Sequence, residues 1–285
     1  MAEPSAAAEG WQARLEIAYR RDGGHTLSHD RHVGPLRVLQ RLYPEGPAVC
    51  HHVLVHPPGG IVGGDRLDLR LQLAEGSHAL LTTPGATRFY RSAGPGATQH
   101  VHATLAEGAR LEWLPLETIA YRGCQAESQV SFELAPGAQM LGWDLLALGL
   151  PAAGEPFDDG RFRQHLAWPG VWLERGRLDA RDRRLLDSPL GLAGHPVMAT
   201  LWWASGTPLP PAQREALLDA ARATMAEHPA LAAQAGATSP DARLVVCRAL
   251  ADRVEPVFAL WRDIRARWRP LGWGLAGESP RIWRT

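Results

Sequence analysis

The chain has no lysine. All 30 basic residues are arginine, and 30 acidic residues bring the formal net charge to +0. A Walker A phosphate loop, a Schiff-base lysine and a Ser–Lys dyad are excluded together, because each needs that amine. GGIVGG, residues 59–64, is therefore not a nucleotide loop, and it lacks the GxGxxG spacing as well. The charge balance leaves no basic field for nucleic acid. Three cysteines (Cys50, Cys124, Cys247), odd in number and widely spaced, support neither a disulfide framework nor a zinc knuckle. A reducing cytoplasm is the expected compartment. No apolar run approaches the roughly 18 residues of a membrane span, and no membrane association is expected. The start, MAEPSAAAEGWQARLE, lacks a basic n-region and an apolar h-region, so no signal peptide is expected. There is no GxSxG, no HExxH and no cysteine in a catalytic motif; Cys124, in YRGCQ, reads as an inert thiol.

What is present is enough apolar material for a large core: 45% of 285 residues are hydrophobic. One domain over 1–285 is expected, with the Ala-rich residues 1–10 frayed. The organising stretch runs from His51 to Ser92. It opens on Val53, Leu54 and Val55 and breaks at His56-Pro57-Pro58-Gly59-Gly60; Gly63-Gly64 and Asp65 follow. Two prolines and four glycines in that space exclude a helix interior or a central strand. Beyond it Leu67, Leu69, Leu71 and Leu73 alternate with Arg66, Asp68, Arg70 and Gln72, the period of a half-buried strand. By parity Asp65 shares the leucine face.

A repeat follows. LAEGSHALLTTP begins at Leu73, LAEGARLEWLPL at Leu105 and LAPGAQMLGWDL at Leu134, each a strand, a tight L-A-x-G turn and a second strand. Self-similarity near thirty residues predicts stacked supersecondary units. The expected fold is mainly β, a β-helix or solenoid-like stack of strands with two α-helices in the C-terminal half. Those helices are read at 211–228 and 254–268; the second places Val257, Leu260, Trp261, Ile264 and Trp268 on one stripe. A first strand is read at 10–20 and another at 34–42. The segment between them, with His25, His29 and His32, reads as an exposed loop. If the repeat is real, Gly76, Gly108 and Gly137 stack on one edge.

Candidate chemistry is confined to a few carboxylates and histidines. Cys50, His51, His52 and His56 could attract a soft metal, but on a strand only His52 and His56 share a face. Asp65, Glu117, Asp144 and Glu174 lie in apolar surroundings. A buried carboxylate stays ionised only beside a cation, backbone donors, water or a metal. Arg88, Arg91 and Arg122 are candidate partners. The alternative is a wet, acid-lined interior that passes a divalent cation.

HPPGGIVGGD at 56–65, TTPGATRFYRS at 82–92, WLPLETI at 113–119 and PRIW at 280–283 lie in order across most of the chain. Together they resemble the urease accessory protein UreD (UreH) family. The resemblance implies a helix-like β fold with a pair of helices, and a non-enzymatic role. That role is to bind apo-urease and the accessory proteins UreF and, through UreF, UreG during GTP-dependent nickel delivery. It also implies Ni²⁺ in transit through an acidic internal tunnel, with no tightly bound cofactor. By position Asp65, Asp68, Asp144 and Glu174 are the candidates for that lining, with Glu117 added from parity. His56, Pro57, Pro58, Gly59, Gly60, Gly63 and Gly64 form the family's structural motif; the partner-binding residues are unknown, with the loops and the C-terminal helical segment the expected contact surface. A second function class stays open: a β-solenoid carbohydrate hydrolase or lyase, which needs an accessible pair of acids.

Overall fold

A computed structural model of the protein describes residues 10–284. All but the last of the residues expected to fray lie outside that range. The architecture is a β-solenoid of about four turns carrying three helices in its C-terminal half. One wall is a sheet of parallel strands, Gln12–Asp22, Arg66–Leu73, Ala97–Leu105, Gln125–Leu134 and Arg161–Trp168, laid side by side in chain order. The second wall stacks Val49–Val55, His78–Thr82, Arg110–Leu114 and Gln139–Leu150 in the same sense. A short third wall pairs Thr87–Phe89 with Thr118–Ala120 and the far end of Gln139–Leu150.

The L-A-x-G turns make the corner between the first two walls. Leu73, Leu105 and Leu134 are register partners in successive coils. The Gly76 N–H donates to the Glu107 carbonyl at 3.0 Å. A Cβ on Gly108 would lie 3.9 Å from the Gly76 nitrogen, and one on Gly137 would lie 3.6 Å from the Gly108 nitrogen. All three glycines have φ between +64° and +75°, so the turn needs a residue tolerant of the left-handed region. The stacked edge expected from the repeat is present.

The apolar alternation fills the space between the first two walls. Leu67, Leu69, Leu71, Val101, Ala103 and Phe132 face inward, and Phe132, Trp168, Trp172 and Trp202 close the far end, with Phe132 and Trp202 stacked 6.1 Å apart. The second wall is buried on its other face too. Antiparallel strands Val197–Ser205, Leu244–Ala251 and Ala235–Asp241 extend it. Across them lie helices α2, Pro211–Ala226, and α3, Val254–Trp273. The α3 stripe of Val257, Leu260, Trp261, Ile264 and Trp268 is wholly buried there. This double cover makes Gln139–Leu150 buried at every inner position, without alternation.

Local expectations failed in four places. A third helix, α1, spans Arg183–Asp187, capped by the Asp182 side chain. Helix α3 runs on through Pro270, which sits in the last turn where one missing N–H breaks little, and stops at Gly274. The histidine-rich segment is no loop: His25–Val33 pairs antiparallel with the first strand across Gly23-Gly24. Residues 34–42 hold only the two-residue strand Arg37–Val38 and a bridge from Leu42 to His51.

Candidate functional site

The two longest motifs are the same place in successive coils. Ile61 bridges to Phe89 in parallel, Phe89 pairs with Ala120, and Ala120 pairs with Leu148, so HPPGGI and TPGATRF lie one above the other along the third wall. Close approach explains the glycines: a Cβ on Gly60 would lie 2.0 Å from the Tyr90 ring, and one on Gly63 would lie 2.7 Å from the Pro95 carbonyl oxygen. Asp65 ties this corner to the first strand. Its Oδ1 accepts from the Trp11 N–H at 2.7 Å and its Oδ2 from the Val62 N–H at 2.9 Å. Backbone donors, rather than an arginine, satisfy this buried carboxylate.

A cavity of about 360 Å³ opens between the two motifs, lined by His56, Pro57, Gly59, Gly60, Thr87 and Arg88 with Leu67, Leu69, Val101 and Trp113 behind them. Its walls are mostly apolar and none of the five candidate acids lines it. Burial pushes the His56 imidazole below its usual range, against the opposing charge of Asp65.

Asp144 and Glu174 do come together. They face each other across the two walls at the closed end of the solenoid. Asp144, Thr200 and Arg248 are register partners in one row of the second wall. Opposite them, on the first wall, are Gln164 and Glu174. The Gln164 amide donates to Asp144 Oδ2, while its own carbonyl oxygen is buried with no partner. Thr200 Oγ1 donates to Glu174 Oε1 at 2.9 Å, and Arg248 donates to Oε2 from Nη2 at 2.7 Å and from Nε at 3.0 Å. Among the described residues Asp144 has no cation of its own. Burial raises its pKa to about 6, a hydrogen bond from Gln164 works against the rise, and the nearby Glu174 charge adds to it. Gly176, register partner of Gln164, leaves the seam without a side chain at that point.

The other acids lie elsewhere. Asp68 points out of the solenoid, paired with Arg66 at 2.9 Å and 3.5 Å from His100 Nδ1. Glu117 is half-buried, and its carbonyl accepts from the Thr87 N–H. The suggested arginine partners were wrong: Arg122 pairs with Asp158, and the arginine on Glu174 is Arg248. His52 shares a 2.7 Å hydrogen bond with the Tyr19 hydroxyl, and His51 Nε2 lies 2.8 Å from Glu45. Among the described residues no three His, Cys, Asp or Glu side chains form a group that could hold a metal ion. The three cysteines are buried and free, and burial pushes the Cys124 thiol up to about 12.

Sequence reasoning missed the densest charge cluster, beneath α3. Glu112 is 0% exposed on the helix-facing side of the second wall. Arg265 Nε donates to its Oε2 at 2.8 Å, Arg269 Nε lies 3.3 Å from Oε1, and His78 Nε2 lies 3.3 Å from the same oxygen. Arg269 also donates to Glu45 at 2.6 Å. Burial alone would raise the Glu112 pKa, but the two guanidiniums and the hydrogen bond with His78 hold it well below the usual carboxylate range. The signal was available: Arg265 and Arg269, one turn apart, occupy the apolar stripe of α3 and so demand a buried acid.

No helix among the described residues is long and apolar enough to cross a membrane. Residues 11–284 match the family described as UreD urease accessory protein. The chain is 62% identical over 277 residues to the urease accessory protein UreD of Leptothrix cholodnii, covering 96% of this chain and 99% of that one. It is 56% identical to the UreD proteins of Variovorax paradoxus, over 275 residues, and Paracidovorax citrulli, over 273, with the same coverage. The stacked corners, the two superposed glycine motifs and these relatives agree, and the chain belongs to the UreD urease accessory protein family.

Proposed function

We propose that this protein is a maturation scaffold, a single accessory domain that binds apo-urease and UreF, with UreG joining through UreF. Nickel is its cargo, passed on in transit and not retained as a cofactor. The observation that carries the nickel reading is the seam at the closed end of the solenoid. Asp144 is a carboxylate 7% exposed with no cation beside it, next to Glu174 and an unpartnered Gln164 carbonyl oxygen. A divalent cation suits the Asp144 carboxylate and the Gln164 carbonyl oxygen, with Glu174 joining only by exchanging Arg248 for the ion, and so few ligands hold it loosely enough to release it. Asp65, held by backbone donors, Asp68, which points out of the solenoid, and Glu117, on the third wall, have no part in this station. A carbohydrate hydrolase is disfavoured, because a polysaccharide cannot reach so buried an acid as Asp144.

The test is to co-express the protein with UreF, UreG and urease, and to measure nickel per urease active site beside complex formation. Asp144→Asn with Glu174→Gln is expected to keep UreF and apo-urease in the complex while nickel content falls severalfold. Unchanged nickel content with an intact complex would remove the conduit. Failure of the wild-type chain to co-purify with either partner would remove the scaffold.

A further inference from the structure

The last hairpin of the first wall, Arg161–Trp168 with Trp172–Asp179, buries Phe162, Leu166 and Leu178 and turns its other face outward. On that outward face the register sets Arg163 opposite Arg177 and His165 opposite Arg175. The Arg163–Arg177 pair sets like charges directly opposite one another across antiparallel strands, which destabilises a sheet. Nearby carboxylates relieve them only in part, Asp179 feeling the Arg177 charge while it is already bound to another arginine. Arg161 occupies Asp179 at 2.8 Å. Arg163 reaches only Glu127, at 3.4 Å, and Glu127 is shared with His100 at 3.6 Å. Among the described residues, Arg175 and Arg177 lie in no ion pair of their own. A groove of about 340 Å³ runs beside Glu127, Arg161, Arg163 and Arg177, and Leu173 stands 58% exposed on the same face. Both long helices pack on the far side of the other wall, so nothing in the described chain covers this face.

We propose that this outward face of the hairpin is a docking surface for an acidic protein surface. On the reading of function given above, on which this inference rests, that surface belongs to apo-urease. Charge complementarity commits the choice: a guanidinium fork binds carboxylates in pairs of parallel hydrogen bonds, and Leu173 offers an apolar contact at the turn end of the same face. A nucleic acid fits less well, because a chain of formal net charge +0 offers only this small arginine patch and no extended basic field to follow a phosphate backbone.

The test is Arg175→Glu with Arg177→Glu in the full chain, purified with UreF. The new carboxylate at 177 lies opposite Arg163 and the one at 175 replaces an unpaired guanidinium opposite His165, so the melting temperature is expected to hold or rise. Binding to immobilised apo-urease is expected to weaken with salt for the wild type and to fall by about tenfold or more in the variant. Equal affinity and equal salt dependence in both proteins would overturn the docking surface and leave the scaffold standing. Absence of wild-type binding would instead overturn the scaffold. A single-stranded RNA 30-mer, run as a probe, would overturn the proposal if the variant lost RNA and kept urease.

Discussion

Arg265 and Glu112 are 153 residues apart in the chain and meet as a pair whose side chains are both 0% exposed. Helix α3 is thereby bound to the centre of the second wall by charge as well as by its tryptophans. Removing one partner strands the other in the core, so Glu112→Ala is expected to cost about 3–5 kcal/mol in urea unfolding. A loss no larger than that of an exposed Glu→Ala substitution would show the cluster to be incidental.

Acid should act on the buried titratable groups, inside the solenoid and beneath α3, in two stages. His52, lowered to about 4 chiefly by burial, and His78, lowered for the same reason, stay neutral in the fold while the unfolded chain protonates near 6.5. Their contribution is therefore complete above 6.5 and is lost as pH falls, for His52 down to about 4. Glu112 and Glu45 lie below the usual 4.5 despite burial, and theirs is lost below that value. Unfolding free energy measured from pH 7.5 to 4 should decline in the upper stage, and His52→Gln should flatten that decline.

Asp144 carries the opposite sign. Its folded pKa, about 6 against an ordinary 3.8, makes its contribution full below 3.8 and lost as pH rises through 6. Asp144→Asn is therefore expected to stabilise the protein at pH 7.5, by at most ~3 kcal/mol, and to leave it unchanged at pH 3.5. Melting curves at the two pH values check this. A variant that is more stable yet delivers less nickel separates function from folding cleanly.

Gly63→Ala tests the motif corner. Its Cβ would meet Ser92 Oγ at 2.3 Å and the Pro95 carbonyl oxygen at 2.7 Å, so the corner must shift. A cost of about 1–3 kcal/mol is expected. Thermal melting of the purified variant would show it.

The coil was legible because its determinants are local. Leu67 to Leu73 alternate, and Gly76, Gly108 and Gly137 recur at the turn, so each copy announced the next. Asp65 was placed on the right face by parity alone. The site was less legible because its partners come from other walls. Nothing near Asp144 in sequence indicates Gln164, and nothing near Glu174 indicates Thr200 or Arg248. Glu112 hid for the same reason, its cations arriving from α3. The segment from His25 to Val33 misled through composition: its polar residues face solvent, while Thr26 and Ser28 turn inward.

The first wall begins and ends on a strand that runs against its neighbours, His25–Val33 at one side and Trp172–Asp179 at the other. A coil's open end is a template on which the next coil, or another molecule's first coil, can add in parallel. Reversing the final strand presents the wrong hydrogen-bond pattern to such an addition, and Arg31, Arg175 and Arg177 put charge on the same borders. The wall is thus protected against end-to-end growth, and a protein built like a segment of fibre remains a particle of fixed length.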